Sequence, residues 1–281
     1  MAVKREKVVQ TAEKYVQRGK IEAAIREYRK LLAEFPDDAT TLNRLGDLYA
    51  RLERVDEAVK LFTQIAENYT EDGFFPKATA IYKKIIKLDP TRLEVYERLA
   101  ELYHRQGLLN EARTQYQVLA DYYVKHENTS SATAIYERMV EVDPDDPSLR
   151  ARLAELYRNH QLTDKAMGQY RRIAELMLAH GAPEEAEQVF LRALDVDASD
   201  VSFITDAVLK LKEHDEVAAA ARFLAAAVER NPEAERVAKM VGVEEEQPAA
   251  PEPEPEPEAV APEPAAAEPE PGLEPVPQDP S

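Results

Sequence analysis

The sequence predicts an all-α protein, a right-handed α-solenoid of about fourteen antiparallel helices followed by a disordered C-terminal tail. Three observations carry that reading. A segment recurs every 54 residues: AAIREYRKLLAEFPDD ending at Asp38, ATAIYKKIIKLDPTR at Arg92, ATAIYERMVEVDPDD at Asp146 and AEQVFLRALDVDASD at Asp200. Apolar residues recur three and four apart, as in Leu42, Leu45, Tyr49 and Leu52, which is the period of an amphipathic helix, and no alternating strand pattern competes. Beyond Gly242 the composition changes to Pro, Glu and Ala. Repetition of one short helical unit gives an elongated array rather than a globule, and such arrays mostly bind other proteins.

Taken in order, the elements begin with a partial unit over 3–38, containing helices near 3–18 and 21–34. Three units of three helices follow, at 39–92, 93–146 and 147–200, then a final pair over 201–232 and a capping helix over 233–241. Gly19, Gly73, Gly107 and Gly181 mark turns that favour positive φ. Pro36, Pro90, Pro144 and Pro232 stop other helices, because proline cannot continue the backbone ladder. In the last helix Val237, Met240 and Val241 are expected to share the side that shields the end of the array.

The tail, 243–281, holds eleven Glu and one Asp with no Lys or Arg, and twelve of the nineteen prolines. It offers almost nothing to bury, so disorder is expected, with an extended reach of about 120 Å at roughly 3.1 Å per residue. A spacer, a ligand for a basic groove, or an autoinhibitory segment folded over the array's own arginines are all compatible with it.

Composition excludes several function classes. With no cysteine there is no disulfide, thiolate nucleophile or cysteine-ligated metal. A net charge of -18 disfavours nucleic acid and anionic membrane as the main partner. No leader-like or membrane-spanning apolar run is visible, which predicts a cytoplasmic protein without membrane insertion. No glycine-rich phosphate loop, His-Glu-x-x-His or nucleophile motif occurs, so neither catalysis nor a cofactor is expected. His126 and His180 lie one period apart, as do His160 and His214; repeated helix-end positions keep them separate, which argues against a metal site.

Two sets of positions then carry a family resemblance. Residues 39–70, through Leu42, Leu45, Gly46, Tyr49, Ala58, Phe62 and Ile65, resemble the tetratricopeptide repeat, a 34-residue antiparallel helix pair. So do 93–124, 147–178 and, more weakly, 201–232. The family's tryptophan near the start of each first helix is replaced by Leu42, Tyr96, Arg150 and Ile204, of which Arg150 fits least well. Two ordinary repeats would span 68 residues, so a 54-residue period implies that one helix of each unit serves two repeats. Those helices, 55–72, 109–126 and 163–180, are about four residues longer than a normal partner helix.

The candidate site is a charge row on the first helix of each unit: Arg44, Asp47 and Arg51, then Arg98, Glu101 and Arg105, then Arg152, Glu155 and Arg158. At 100° per residue they are expected to form one exposed row opposite the apolar face. The resemblance implies that first helices line a groove for an extended peptide or partner helix, where guanidinium groups would take carboxylates in pairs. The same residues also read as i, i+3 ion pairs on a solvated face, worth a few tenths of a kcal/mol each. Asp47, Glu101 and Glu155 stand where chaperone-binding members carry asparagine, which argues against a chaperone tail as ligand. The expected function is a non-catalytic scaffold or adaptor for a protein or peptide. Two alternatives remain: an assembly factor self-associating through Val8, Val9 and Tyr15 of the N-terminal helix, or a regulatory subunit of a larger enzyme or secretion complex.

Overall fold

A computed structural model describes residues 2–242, and side chains from residue 5 onward. The tail at 243–281 lies outside the described residues. Fourteen α-helices and one short 3-10 turn make up the described chain, with no strand among them. They are α1 (Ala2–Gln17), α2 (Ile21–Glu34), α3 (Ala39–Arg51), α4 (Val55–Glu71), α5 (Phe75–Leu88), α6 (Leu93–Arg105) and α7 (Leu109–Lys125). After these come α8 (Thr129–Val142), α9 (Pro147–Asn159), α10 (Thr163–Ala179), α11 (Pro183–Leu194), α12 (Val201–Glu213), α13 (Val217–Arg230) and α14 (Glu235–Val241). From α1 to α10 each helix packs chiefly on its sequence neighbours, the contact pattern of an α-solenoid, whereas α11 packs on α10 and α13 and α14 on α12.

The long helices α4, α7 and α10 have 17 residues each, against 12 to 14 in the helices on either side. The extra turn has a purpose: α4 packs extensively on both α3 and α5, α7 on α6 and α8, and α10 on α9 and α11. Small residues set the close approaches. Ala24, Ala78, Ala132 and Ala186, one period apart, are all fully buried, and so are Ala58, Ala112, Ala166 and Ala220. Larger side chains would force the helix axes beyond the usual ~8–10 Å. Between them sit Tyr28, Tyr82, Tyr136 and Phe190, again one period apart and all buried. At Gly46 the approach is closest, since a Cβ there would stand 2.6 Å from the edge of the Phe62 ring.

Turn chemistry repeats as faithfully as the core. Residues 19, 73, 127 and 181 all take φ between 55° and 76°, as do residues 53, 107, 161 and 215. Glycine fills only half of these; Glu53, Glu127, Gln161 and Asp215 hold the left-handed conformation at a steric cost of about 1–2 kcal/mol each. Two successive turns with this geometry reverse the chain around every long helix. The third turn of each unit is capped from a side chain: Asp38 accepts from Thr41 N (3.2 Å), Asp146 from Ser148 N (2.8 Å) and Asp200 from Phe203 N (2.9 Å). Arg92 replaces the cap in the second unit and instead bridges Asp89 and Asp56.

Two sequence expectations need correction. Arg150 is accommodated by hydrogen bonds, its Nε donating to Pro144 O (2.7 Å) and its Nη1 to Gln169 (2.8 Å), although burial and then Arg172 work against its charge. Tyr96 makes the equivalent bond to Pro90 O (3.2 Å), so both residues tie a first helix to the preceding loop. At the C-terminal end, Pro232–Ala234 form a 3-10 turn and the helix proper starts at Glu235. Ala234 and Val237 are buried there, whereas Met240 is 75% exposed and takes no part in the cap.

Replacing Gln161 by Gly is predicted to raise unfolding free energy by about 0.5–1 kcal/mol, as relief of the left-handed strain outweighs the added freedom of the unfolded chain. Urea denaturation of the two proteins measures it. By the same method Gly46→Leu is predicted to cost about 1–3 kcal/mol through overpacking, with part of the loss recovered by Phe62→Leu.

Candidate functional site

The predicted charge row lies on α3, α6 and α9, and each segment of it meets residues that the sequence reading left out. In the second unit, Arg98, Glu101 and Arg105 of α6 face Glu67, Thr70 and Glu71 of α4 across a cleft of about 240 Å³, with Tyr82 of α5 in its lining. In the first, Arg44, Asp47 and Arg51 of α3 face Glu13, Val16 and Gln17 of α1, with Tyr28 of α2 in the same role. Each residue of the second cleft stands 54 positions after its counterpart in the first. In the third, Arg152, Glu155 and Arg158 share α9, but Glu155 takes Arg158 (2.7 Å) and the Tyr170 hydroxyl (3.2 Å).

The row is not uniformly exposed, which departs from the expectation. Arg44 is half-buried, ion-paired to Glu13, and donates from Nη1 to the Tyr28 hydroxyl (3.2 Å). The Glu13 bond, seconded by Tyr28, holds its guanidinium proton more firmly than usual. Asp47 pairs with Lys84 of α5 (2.5 Å), and Lys84 sits over the Phe62 ring at 4.2 Å. Glu101 takes Arg98 from its own helix (3.4 Å) and Arg138 from α8 (3.3 Å). Arg51, Arg105 and Arg152 are exposed and, among the described residues, make no ion pair. Each acid of the row is thus braced by a cation, while one arginine per unit makes no ion pair among the described residues.

Burial raises the Tyr82 hydroxyl to about 12, with Glu67 adding to the effect. Burial also pushes Tyr116, Tyr157 and Tyr170 upward. The bracing residues had a sequence signal of their own, since Lys30, Lys84, Arg138 and Arg192 lie one period apart, as do Glu13, Glu67, Asp121 and Glu175. The histidines occupy helix ends: His126, His160, His180 and His214 are the C-terminal caps of α7, α9, α10 and α12. Nδ1 of His126 and of His180 lies 2.7 and 2.6 Å from the carbonyl four residues earlier. Of the helix proposed for self-association, Val9 and Tyr15 pack against the core of their own chain. No described helix is long and apolar enough to cross a membrane.

Stacked helix pairs with a lined inner row define a helical-repeat solenoid. Tetratricopeptide repeat profiles match residues 10–73, 81–114 and 113–156. The TPR repeat protein oca3 of Schizosaccharomyces pombe is 32% identical over 129 residues, which is 41% of this chain and 44% of that protein. The chain therefore spans less than half of this relative's length. Among solved structures, YrrB, described as a TPR protein with an unusual peptide-binding site, is 16% identical over 76% of this chain and 97% of its own (TM-score 0.25). MamA is 16% identical over 84% and 96% (TM-score 0.19). The chain belongs to the tetratricopeptide repeat family.

The tyrosine shifts predict a pH dependence. A hydroxyl whose folded-state value exceeds its unfolded value binds its proton more tightly when folded, so its contribution is complete below pH 10. For Tyr82 it is lost as pH rises from 10 through about 12, on the order of 2 kcal/mol. Thermal unfolding between pH 9 and 12 should show this decline, and Tyr82→Phe should make it shallower.

Proposed function

We propose that the array is a non-catalytic scaffold or adaptor that holds a segment of a partner protein along α3, α6 and α9, in a cytoplasmic setting. The observation that carries this reading is the recurrence, at a 54-residue interval, of one cleft with the same lining in the first and second units. Here Arg51, Arg105 and Arg152 repeat along the row without an ion-pair partner, and the acids beside them are braced by Lys84 and Arg138. A row of guanidinium groups held at fixed spacing suits an extended segment bearing spaced carboxylates, each taken by two parallel hydrogen bonds. In this reading the units 39–92, 93–146 and 147–200 are repeated binding modules, and the tail at 243–281 is a separate acidic segment.

The test is affinity capture from a lysate with the full chain and with its Arg98→Glu, Arg105→Glu variant, compared by mass spectrometry. Both residues are exposed, so the variant should unfold within a degree or two of the parent. At least one partner captured by the parent is expected to fall more than tenfold in the variant. Identical partner sets from the two proteins would contradict the groove.

A further inference from the structure

The partial unit and the three full units each place an acid at one equivalent position: Glu13 on α1, Glu67 on α4, Asp121 on α7 and Glu175 on α10. At the first and last of these positions the acid is paired with a cation of the same chain. Glu13 holds Arg44, which also donates to the Tyr28 hydroxyl (3.2 Å). Glu175 holds Lys210 of α12 (3.1 Å) and Arg172 (3.2 Å), and these bonds overcome the burial that would raise its carboxyl, leaving it lowered. Glu67 and Asp121, between them, make no such ion pair among the described residues. Arg98, the counterpart of Arg44, is turned to Glu101 on its own helix (3.4 Å). Glu67 and Glu71 are exposed and, among the described residues, make no ion pair.

The two clefts differ in the acid beside this arginine. In the first unit the acid beside Arg44 is Asp47, and Lys84 holds it (2.5 Å). In the second it is Glu101, which pairs with Arg98 of its own helix and Arg138 of α8. The first unit therefore records what the cleft accepts when filled: a guanidinium between the acid of the long-helix position and a tyrosine hydroxyl. Both of these bonds come from one guanidinium nitrogen, Nη1, so the first unit shows a cation at the reach of an arginine side chain meeting the two acceptors at once. The second cleft holds about 240 Å³, room for a single inserted side chain, and the first keeps about 320 Å³ beside Arg44.

We infer that this second cleft receives an arginine side chain of the partner, seated between Glu67 and the Tyr82 hydroxyl where Arg44 sits in the first unit, with Arg105 at the rim taking a carboxylate next to it. The inference rests on the scaffold reading above and sharpens it: the ligand is a mixed-charge segment with adjacent Arg and Asp or Glu, rather than a purely acidic one. The elevated Tyr82 hydroxyl, due to burial and then to Glu67, agrees with a negative potential at that spot.

The test uses the full chain with ring-labelled tyrosines, titrated with the dipeptide acetyl-Arg-Glu-amide and followed by NMR, the Tyr82 signal being assigned by its loss in Tyr82→Phe. Tyr82 should shift on titration and Tyr28 should not. Glu67→Gln, a change at an exposed side chain, should weaken the response at least tenfold. Arg44→Ala should open the first cleft, so that Tyr28 now shifts as well. A still Tyr82 signal, an undiminished response in Glu67→Gln, or an equal response to acetyl-Glu-Glu-amide would overturn the inference. A chain that captures a partner through Arg98 and Arg105 while Tyr82 ignores the dipeptide keeps the scaffold function and loses only the arginine site.

Discussion

Everything in this array depends on helices that pack on two neighbours at once. An ordinary helical pair buries one face of each partner and relies on the next pair to cover the rest. In α4, α7 and α10 a 17-residue helix offers one face to the helix before it and another to the helix after it. The constraint is severe, since both faces need small residues at the points of closest approach. Ala58, Ala112 and Ala166 near the helix starts, and Ala66, Ala120 and Ala174 further along, meet it by being fully buried. A larger residue at either set would separate two contacts instead of one.

Sharing a helix shortens the unit, and shortening brings the third helix close to the first. Lys84 on α5 reaches Asp47 and Asn43 on α3, and Arg138 on α8 reaches Glu97 and Glu101 on α6. These cross-helix contacts hold the acids of the inner row, and they explain why the arginines beside them differ in availability. Exposed pairs of this kind contribute little to stability, with a median of about 0–1 kcal/mol. Their effect is to orient side chains, which is what a binding surface requires. At the C-terminal end the pattern changes, as α11 packs on α13, with buried Glu187 taking Arg222 Nε at 3.0 Å and Phe190 against Phe203 and Phe223.

Most of this was legible in the sequence because periodicity reports burial directly. Ala78 and Tyr82 recur with the 54-residue interval because they occupy the same packing position in every unit, and the surplus length of 55–72 announced its double role. Less legible were features set by two elements that are distant in the chain. The charge row was visible, since Arg98, Glu101 and Arg105 share one helix. The opposite wall, Glu67 and Glu71, lies on another helix, and only the fold brings it within reach of the row. Met240 illustrates the same limit at short range: an apolar residue in a seven-residue helix looked like part of the cap, but Ala234 and Val237 already cover the end of the array. Arg150 shows the converse, because a charged residue at an aromatic position is accommodated by hydrogen bonds to Pro144 O and Gln169 that no pattern of hydrophobicity reveals.

Because α4, α7 and α10 each serve two neighbours, a unit of three helices rather than a pair is expected to be the cooperative element. Native-state hydrogen exchange tests it most directly, by comparing opening free energies across α3, α4 and α5 in increasing denaturant. If α4 is shared, amides of the three helices converge on one opening event and on one denaturant dependence. Exchange of α5 through a separate, lower-energy opening that leaves α3 and α4 protected would show that the array is built from ordinary pairs, and would contradict the account.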